Sequence, residues 1–300
     1  MSGAITAERR AGRPFASPLS RAMASRSGLD LRLVQGSGPQ GRIVRTDVAA
    51  ALALTSKPTA KAPDRATRFH DVPNSLGRTL MARRLAQAKQ EAPHFYLSMD
   101  CQVDALLALR ASAQTRAVSE GARLSLNDFL IKAAALALRD VPALNASFSE
   151  ASIRYFDDVH VSVAVAIDDG LVTPVIEHAD RKSVAQIAVA MAELAAQARA
   201  GALPTGASAG GTFSISNLGA HGVREFAAVI NPPQAAILAV GAAEARPVVL
   251  DGQLAVATMM TVTLSVDHRV TEGAVAARWL AAFRSRLVSL TVADVWLAPP

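Results

Sequence analysis

Between Asp71 and the C-terminus, segments with the apolar spacing of helices alternate with segments that have the apolar spacing of strands. The clearest strand is Val159–Ile167, where valine or isoleucine occupies every second position. Helices are predicted at 76–90, 103–115, 129–139, 183–200 and 273–287. Further strands are predicted at 94–100, 171–176, 211–216, 235–240 and 258–266. Because helices and strands are mixed without strict βαβ units, the pattern predicts an α/β fold with a mixed sheet and flanking helices.

The N-terminal part of the chain has the pattern of a very small all-α domain at residues 15–54. Ser17 and Pro18 form a helix start signal, because serine accepts a hydrogen bond from a free backbone N–H and proline is tolerated in the first turn. Gly28 predicts the end of this helix.

The boundaries of the remaining segments follow from composition. Thr46-Asp47 is expected to cap a second short helix over Val48–Leu54. Residues 55–70 are rich in Ala, Pro and Lys without apolar periodicity, which predicts a flexible linker. Residues 1–14 are predicted to be a disordered N-terminus, and 71–300 a single large domain.

Positive charge is concentrated in the first part of the chain. Residues 1–70 contain 12 Lys/Arg and 4 Asp/Glu, a net charge of +8, whereas the other 230 residues carry −2. The arginines are not interleaved with the aromatic residues of a nucleic-acid stacking platform, so the charge favours docking on an acidic protein surface. The first 28 residues, rich in Arg, Ser and Ala, also fit an organellar transit peptide, which remains an alternative.

Several kinds of chemistry have no support in the sequence. The single Cys101 excludes an internal disulfide and a cysteine zinc site, and a buried structural role is favoured over a nucleophile. No metal is expected, because metal-ligand spacing is lacking among His70, His94, His160, His178, His221 and His268. No glycine-rich phosphate loop is present, and no apolar run nears the roughly 18 residues that span a bilayer, which predicts a soluble chain.

One histidine stands at a position suited to catalysis. His268 follows the β-rich run 259–266 and begins the sequence His-Arg-Val-Thr-Glu-Gly. Side chains at a strand end before a helix are displayed at the rim of a sheet, and a neutral imidazole can take a proton from a thiol. A simple polar turn is the alternative interpretation.

A second candidate lies in the segment Gly210–Gly219. A strand that runs into a Ser/Asn/Gly turn can present a hydroxyl as a hydrogen-bond donor to an oxyanion. An ordinary turn closed by Asn and Ser side chains is again the alternative.

Together with four further stretches, these segments resemble the acyltransferase component of the 2-oxo-acid dehydrogenase complexes, and more distantly chloramphenicol acetyltransferase. The family signature His-x-x-x-Asp-Gly corresponds to His268–Gly273. The other matching stretches are Met81–Leu85, Ala92–Tyr96, Asp169–Val175 and Phe226–Gln234. The resemblance implies a chloramphenicol-acetyltransferase-like fold and a catalytic acyltransferase domain over 71–300.

Segment 15–54 independently resembles the peripheral subunit-binding domain of the same family, through Ala16–Pro18, Gly28–Asp30 and Gly38–Ile43. In relatives this domain binds dihydrolipoyl dehydrogenase or the 2-oxo-acid decarboxylase component, largely through arginines. The resemblance implies partner-binding roles for Arg21, Arg26 and Arg42.

The resemblance also implies a site and a reaction. His268 would act as general base on the thiol of coenzyme A, or of dihydrolipoamide in reverse, and Ser216 would donate a hydrogen bond to the tetrahedral oxyanion. Glu272 stands where Asp or Asn is usual, and its extra methylene would displace the salt bridge of the shorter acid. In relatives the histidine and the serine come from neighbouring protomers of a trimer, and trimers assemble into a larger hollow core.

The source of lipoate is not visible in this sequence. No Asp-Lys-Ala context of the kind that receives lipoate surrounds Lys57, Lys61, Lys89, Lys132 or Lys182. Either the chain is truncated or lipoate is supplied in trans by a lipoyl domain of another chain.

The segment 226–234 is closest to pyruvate-type members, so the implied acyl group is acetyl and the implied complex is pyruvate dehydrogenase. The compartment would be a bacterial cytoplasm or a mitochondrial matrix. Two alternatives remain open: a non-catalytic scaffold that recruits dehydrogenase components, and a free-standing small-molecule acetyltransferase.

Overall fold

The structure, a computed structural model, describes residues 14–55, 68–167 and 170–298. The chain separates into two compact units, Met1–Val72 and Pro73–Pro300. The predicted disordered N-terminus at 1–14 and the predicted linker at 55–70 fall almost entirely outside the described residues. Among the helices that the structure describes, none is long and apolar enough to cross a membrane.

The first unit contains two helices, α1 (Pro18–Ser27) and α2 (Arg45–Thr55). As predicted, Ser17 Oγ accepts a hydrogen bond from the Ser20 N–H at 3.1 Å, and Gly28 ends α1 with a left-handed φ of 64°. The helices enclose a small core of Ala16, Ala24, Ile43 and Val48.

Helix α2 begins at Arg45, three residues before the predicted start at Val48. Asp47 lies inside the first turn and accepts hydrogen bonds from the N–H groups of Ser37 and Val44 at 3.0 and 2.9 Å. The Ser37 hydroxyl contributes most to lowering the pKa of this carboxyl. Asp47 therefore ties the glycine-rich loop to the helix from within the first turn, rather than capping the helix from outside.

The second unit contains the remaining elements. Its strands are β1 (His94–Gln102), β2 (Ala146–Phe148), β3 (Ile153–Tyr155), β4 (Val161–Val163), β5 (Val165–Ile167), β6 (Gly170–Val172), β7 (Val175–Ile176), β8 (Phe213–Asn217), β9 (Ala236–Leu250) and β10 (Gln253–Asp267). Its helices are α3 (Leu76–Glu91), α4 (Asp104–Ser119), α5 (Leu126–Asp140), α6 (Val184–Arg199), α7 (Gly273–Ser289) and α8 (Val292–Trp296).

A mixed sheet organises this unit, with the strand order β1-β10-β9-β8-β4-β7. β9 runs parallel to β8, and β8 parallel to β4, whereas the other neighbouring strands are antiparallel. The strands β2 and β3, and likewise β5 and β6, form separate two-stranded hairpins. The observed architecture confirms the predicted α/β class with a mixed sheet and flanking helices.

One face of the sheet is covered by helices and forms the main core. Phe213, Leu238 and Leu264 point to this face and are fully buried. Trp279 of α7 packs on Phe213 with ring centroids 5.0 Å apart and stacks on Phe283 at 5.5 Å. Burial of this large apolar area is the main source of stability for the unit.

Helix α5 lies almost wholly inside the core. Its start is a capping box, in which Asp128 accepts hydrogen bonds from the N–H and the hydroxyl of Ser125 at 2.7 and 2.8 Å. Burial raises the pKa of Asp128 to about 6.

The other face of the sheet is polar and is partly covered by the irregular segment 222–235. Glu225 Oε1 accepts a hydrogen bond from Ser98 Oγ at 2.6 Å, and the Ala228 carbonyl accepts one from Ser265 Oγ at 2.7 Å. These bonds attach the segment to strands β1 and β10.

The prediction of one continuous strand over Val159–Ile167 is wrong, because the structure divides this segment into β4 and β5. At the break, the N–H of Val163 donates to the Pro174 carbonyl and that of Ala164 to the Ile215 carbonyl, both at 2.9 Å. Pro174 has no N–H to return, so the ladder ends there. The predicted strand at 171–176 is divided at the same proline.

The β9–β10 hairpin is much longer than predicted. It closes through Asp251 and Gly252, both with positive φ (50° and 78°), as a two-residue hairpin turn requires. The Asp-Gly pair is the sequence signal for this turn. The β2–β3 hairpin and α8 were also not predicted.

Candidate functional site

His268 is the first residue after strand β10 and is exposed. Its N–H donates to the Pro93 carbonyl at 3.0 Å, which holds the turn against the start of β1. Its ring packs on Phe95, with centroids 4.5 Å apart. The imidazole is therefore supported on one side and accessible on the other.

The turn around His268 is fixed by its two neighbours in sequence. Asp267 is 4% exposed and accepts hydrogen bonds from both the N–H and the guanidinium of Arg269, the shortest at 2.7 Å. This ion pair raises the pKa of Arg269, and the guanidinium lies 4.3 Å from the centroid of the Phe148 ring. His268 is thus held between two residues that bond to each other.

Ser216 lies on strand β8, where it pairs with Ala239 of β9. Its side chain is half-buried, and within the described residues its hydroxyl has no hydrogen-bond partner. Next to it, Asn217 bonds to Asn127 at 3.2 Å and accepts from the Gly219 N–H at 2.8 Å. The Asn217 side chain thus closes the turn, as expected for an ordinary turn. The Ser216 hydroxyl takes no part in closing it.

The structure does not bring His268 and Ser216 together within one chain. Ser216 pairs with Ala239, which pairs with Thr263 of β10, and His268 follows Thr263 by five residues. From standard strand spacings the two residues are about 20 Å apart. A single protomer cannot place both side chains on one carbonyl group.

Glu272 is the N-cap residue of α7 but makes no side-chain capping bond. It is exposed, and it has no ion-pair partner in the part of the chain that the structure describes.

His94 was overlooked as a site residue by sequence reasoning. It pairs with Asp267 across β1 and β10, directly beside the His268 turn. Its Nε2 accepts the Ile230 N–H at 3.2 Å, so the ring proton is on Nδ1, which donates to the Ala92 carbonyl at 2.7 Å. His94 attaches segment 222–235 to the edge of the candidate site.

Three further side chains lie close together near strands β4 and β7, at the opposite end of the sheet from β1 and β10. Ligand atoms of Asp158, His160 and His178 lie within 4.8 Å of one another. However, His160 Nδ1 accepts the His178 N–H at 3.0 Å, which leaves the ring proton on Nε2, and Arg181 is 3.1 Å from Asp158. Because one imidazole lone pair is occupied and a cation is already present, the cluster lacks the free donor set of a metal site.

Cys101 lies on β1 and is fully buried. Burial raises the pKa of its thiol to about 12. A thiol with so little thiolate at neutral pH cannot act as a nucleophile, which agrees with the predicted structural role.

The three arginines predicted to bind partners lie in the first unit. Arg21 donates to two backbone carbonyls, with the shorter distance at 3.1 Å. Arg42 lies 5.3 Å from the centroid of the Phe15 ring, and its buried Nε has no hydrogen-bond partner among the described residues. Arg26 is exposed in the last turn of α1.

Comparison with known proteins connects both units to one family. The family model described as 2-oxoacid dehydrogenases acyltransferase (catalytic domain) matches residues 66–293, and the one described as e3 binding domain matches residues 14–49. The chain is 44% identical to the dihydrolipoyllysine-residue acetyltransferase component of pyruvate dehydrogenase complex from Zymomonas mobilis. That match covers 92% of this chain and 65% of that protein, so the chain spans about two thirds of this relative's length.

Two solved structures have the same fold as the second unit. Dihydrolipoamide acetyltransferase of Azotobacter vinelandii, in which the catalytic roles of a serine, a histidine and an asparagine were investigated, gives a TM-score of 0.73 at 32% identity. The match covers 77% of this chain and 95% of that one. The cubic core of the pyruvate dehydrogenase multienzyme complex gives 0.73 at 32% identity, covering 77% and 96%. The chain belongs to the 2-oxoacid dehydrogenase acyltransferase family.

Proposed function

We propose that this chain transfers an acetyl group between dihydrolipoamide and coenzyme A, as the core component of a pyruvate dehydrogenase complex. One observation carries the assignment of the site. In the Azotobacter vinelandii enzyme the investigated serine and histidine are 52 positions apart, and the asparagine follows the histidine by four. Ser216 and His268 are also 52 positions apart, and Glu272 follows His268 by four.

The proposed reaction begins with proton transfer to His268. The imidazole takes the proton of the attacking thiol, and the sulfur adds to the thioester carbonyl carbon to give a tetrahedral oxyanion. Ser216 donates a hydrogen bond to this oxyanion. The intermediate collapses with cleavage of the original carbon–sulfur bond, and the departing sulfur receives the proton from the imidazolium.

The proposed reaction requires that the imidazole of His268 is held in a fixed position. The reference pKa of a thiol is about 8.5 and that of imidazole about 6.5, so proton transfer in the ground state is unfavourable by roughly two powers of ten. A base of this strength is effective only when it is held in place. The hydrogen bond to Pro93, the contact with Phe95 and the Asp267–Arg269 pair supply that positioning.

The separation of about 20 Å within one chain favours a site shared between protomers. In the proposed assembly, His268 of one protomer faces Ser216 of its neighbour in a homotrimer, and each protomer contributes to two sites. Glu272 lies at the start of α7, four residues after the base, where its carboxylate would face the neighbouring protomer's part of the site. Trimers would assemble further into a cubic core, as in the solved core of the pyruvate dehydrogenase multienzyme complex.

The first unit would recruit the partner enzymes. We propose that Arg21, Arg26 and Arg42 bind acidic groups of dihydrolipoyl dehydrogenase or of the decarboxylase component, because they supply cationic groups on a unit with net positive charge. Lipoate would reach the site in trans on a lipoyl domain of another chain. The complex would work in a bacterial cytoplasm or a mitochondrial matrix.

Mixed assemblies test the shared site. His268→Ala and Ser216→Ala variants, carrying different tags, are produced separately and also co-expressed and purified through both tags. Purification through both tags keeps only trimers that contain both variants, and in each of these about one site in three receives an intact histidine and an intact serine. Transfer from acetyl-CoA to free dihydrolipoamide should therefore return in the co-purified protein to about a third of the wild-type rate.

The control is a mixture of the two variants assembled separately, which should stay inactive. No recovery on co-expression would place both groups within one chain or remove one of them from the reaction. A wild-type protein that captures dihydrolipoyl dehydrogenase but transfers no acetyl group would be a non-catalytic scaffold.

A further inference from the structure

Gln234 has a buried side-chain amide that joins separate parts of the second unit. Its Nε2 donates to Ser162 Oγ and to the Gly211 carbonyl, both at 3.0 Å, and its Oε1 accepts from the Ser214 hydroxyl. Gln234 is 5% exposed, and the two serines are 1% exposed. The amide and the two serine hydroxyls are shielded from water, so these three groups depend on one another for their hydrogen bonds.

Packing is tight at Gly211, whose carbonyl accepts one of these hydrogen bonds. A Cβ atom added to Gly211 would lie 1.9 Å from Ser162 Oγ and 2.9 Å from Gln234 Nε2. The strand β4, the entry to β8 and the end of segment 222–235 are therefore in close contact at this point.

The amide is connected to both groups of the proposed reaction. Ser214 precedes Ser216 by two residues, so both side chains lie on the same face of β8. On the other side, the carbonyl of Ala235, the residue after Gln234, accepts the Asp267 N–H at 2.8 Å. Asp267 directly precedes His268.

We propose that Gln234 is a positioning residue, which fixes the strand that carries Ser216 relative to the turn that carries His268. The proposal rests on the acyl-transfer function proposed above. Each protomer would give its histidine to one shared site and its serine to another, so a fixed separation inside the protomer would align both sites together. A displacement of about 1 Å at such a site can lower the rate about 100-fold.

The test uses Gln234→Leu in the full chain, a change that keeps the side-chain volume and removes the amide. The turnover number for acetyl transfer is expected to fall about 10- to 100-fold. The KM for coenzyme A should change less than about twofold, because no contact with substrate is removed. Ser214→Ala, which removes one of the three hydrogen bonds, should give a smaller loss of turnover.

Lys132→Met provides a matched control for lost stability. Lys132 is fully buried and donates to the carbonyls of Asp180 and Lys182 at 2.7 Å. Its replacement also removes two hydrogen bonds to another segment, 180–182, and neither acceptor is bonded to Ser216 or His268. This variant should have a lowered Tm and an unchanged turnover number.

Hydrogen exchange of backbone amides gives a second measurement that does not depend on activity. In Gln234→Leu, exchange should become faster at both Ser216 and Asp267, whereas in Lys132→Met it should change at neither. If the wild type transfers no acetyl group but exchange becomes faster at both positions in Gln234→Leu, the proposed function is rejected. The structural link through Gln234 between Ser216 and Asp267 would then still stand. Wild-type turnover in Gln234→Leu, or unchanged exchange at Asp267, would overturn the positioning role.

Discussion

The two faces of the central sheet are formed by the same strands but are covered differently, one by helices and the other only partly by segment 222–235. On one face, Phe213, Leu238 and Leu264 are packed under helices without exposure. On the other, Ser216, Ser98 and their neighbours are only partly covered by segment 222–235. Because side chains alternate along a strand, β8 contributes Ile215 to the core and Ser216 to the polar face. Two adjacent residues of β8 therefore have different tasks: Ile215 stabilises the core, and Ser216 serves the proposed chemistry.

This difference predicts that substitutions on the two faces have opposite signatures. Changes at the exposed and half-buried positions of the polar face and its rim should lower the rate without unfolding the protein. Changes on the helix-covered face should lower the free energy of unfolding and leave the rate per folded molecule unchanged.

The largest effect on the rate is expected for His268→Ala. Loss of the general base should lower acetyl transfer by about 10²–10⁴-fold. The Tm should stay close to that of the wild type, because the side chain is exposed and only its backbone N–H bonds to Pro93. The exposed His221, on a short turn after β8, serves as the control in His221→Ala. A loss of less than tenfold in His268→Ala would remove this imidazole from the mechanism.

On the opposite face, Trp279→Ala should cost about 3–5 kcal/mol of stability, as is usual when a buried aromatic side chain is deleted from a core. Trp279 is fully buried against Phe213 and Phe283. Chemical denaturation measures the effect, and Arg278→Ala, an exposed neighbour on the same helix, is the matched control. A change below 1 kcal/mol would show that this helix is not essential to the core.

For Ser216→Ala the expected loss is about 10²–10³-fold in turnover, if its hydroxyl stabilises the oxyanion. The stability should barely change, since no described group bonds to this hydroxyl. Steady-state rates and a thermal melt test both statements. Full turnover in the variant would mean that another donor stabilises the intermediate.

The smallest expected effect is a dependence of the free energy of unfolding on pH, caused by Asp128, a buried carboxyl of helix α5. Burial raises the pKa of Asp128 to about 6 from 3.8, so the folded state binds a proton that the unfolded state has released between these two values. Stability contributed by this group is present below pH 3.8 and is lost as the pH rises through 6. The total change is at most roughly 3 kcal/mol.

Asp128→Asn keeps an oxygen that can accept from the Ser125 N–H but cannot ionise. Urea denaturation at several pH values between 4 and 7 should show a flatter dependence for this variant than for the wild type. Identical slopes in the two proteins would contradict the raised pKa.

Local rules predicted the starts of helices better than the extent of strands. Ser17 caps α1 as predicted, because a cap depends on residues within one turn. The break of Val159–Ile167 at Pro174 depends instead on a strand that is distant in sequence. Apolar alternation reports which residues face the core, but not where a partner strand ends.

The candidate site was predictable in its residue types but not in its geometry. The signature around His268 predicts the base, whereas its distance from Ser216 follows from the order β10-β9-β8, which no local pattern encodes. Gln234 and His94 act through hydrogen bonds to residues far away in the chain, so their roles became visible only with the fold.

The burial of Cys101 has a practical consequence for measuring distances in the proposed assembly. With a pKa near 12, only about one thiol in ten thousand is ionised at pH 8, and maleimide reagents attack the ionised form. A single cysteine introduced on the exposed surface would therefore be labelled selectively in an otherwise unaltered chain. Fluorophores attached in this way to neighbouring copies would report their spacing by energy transfer.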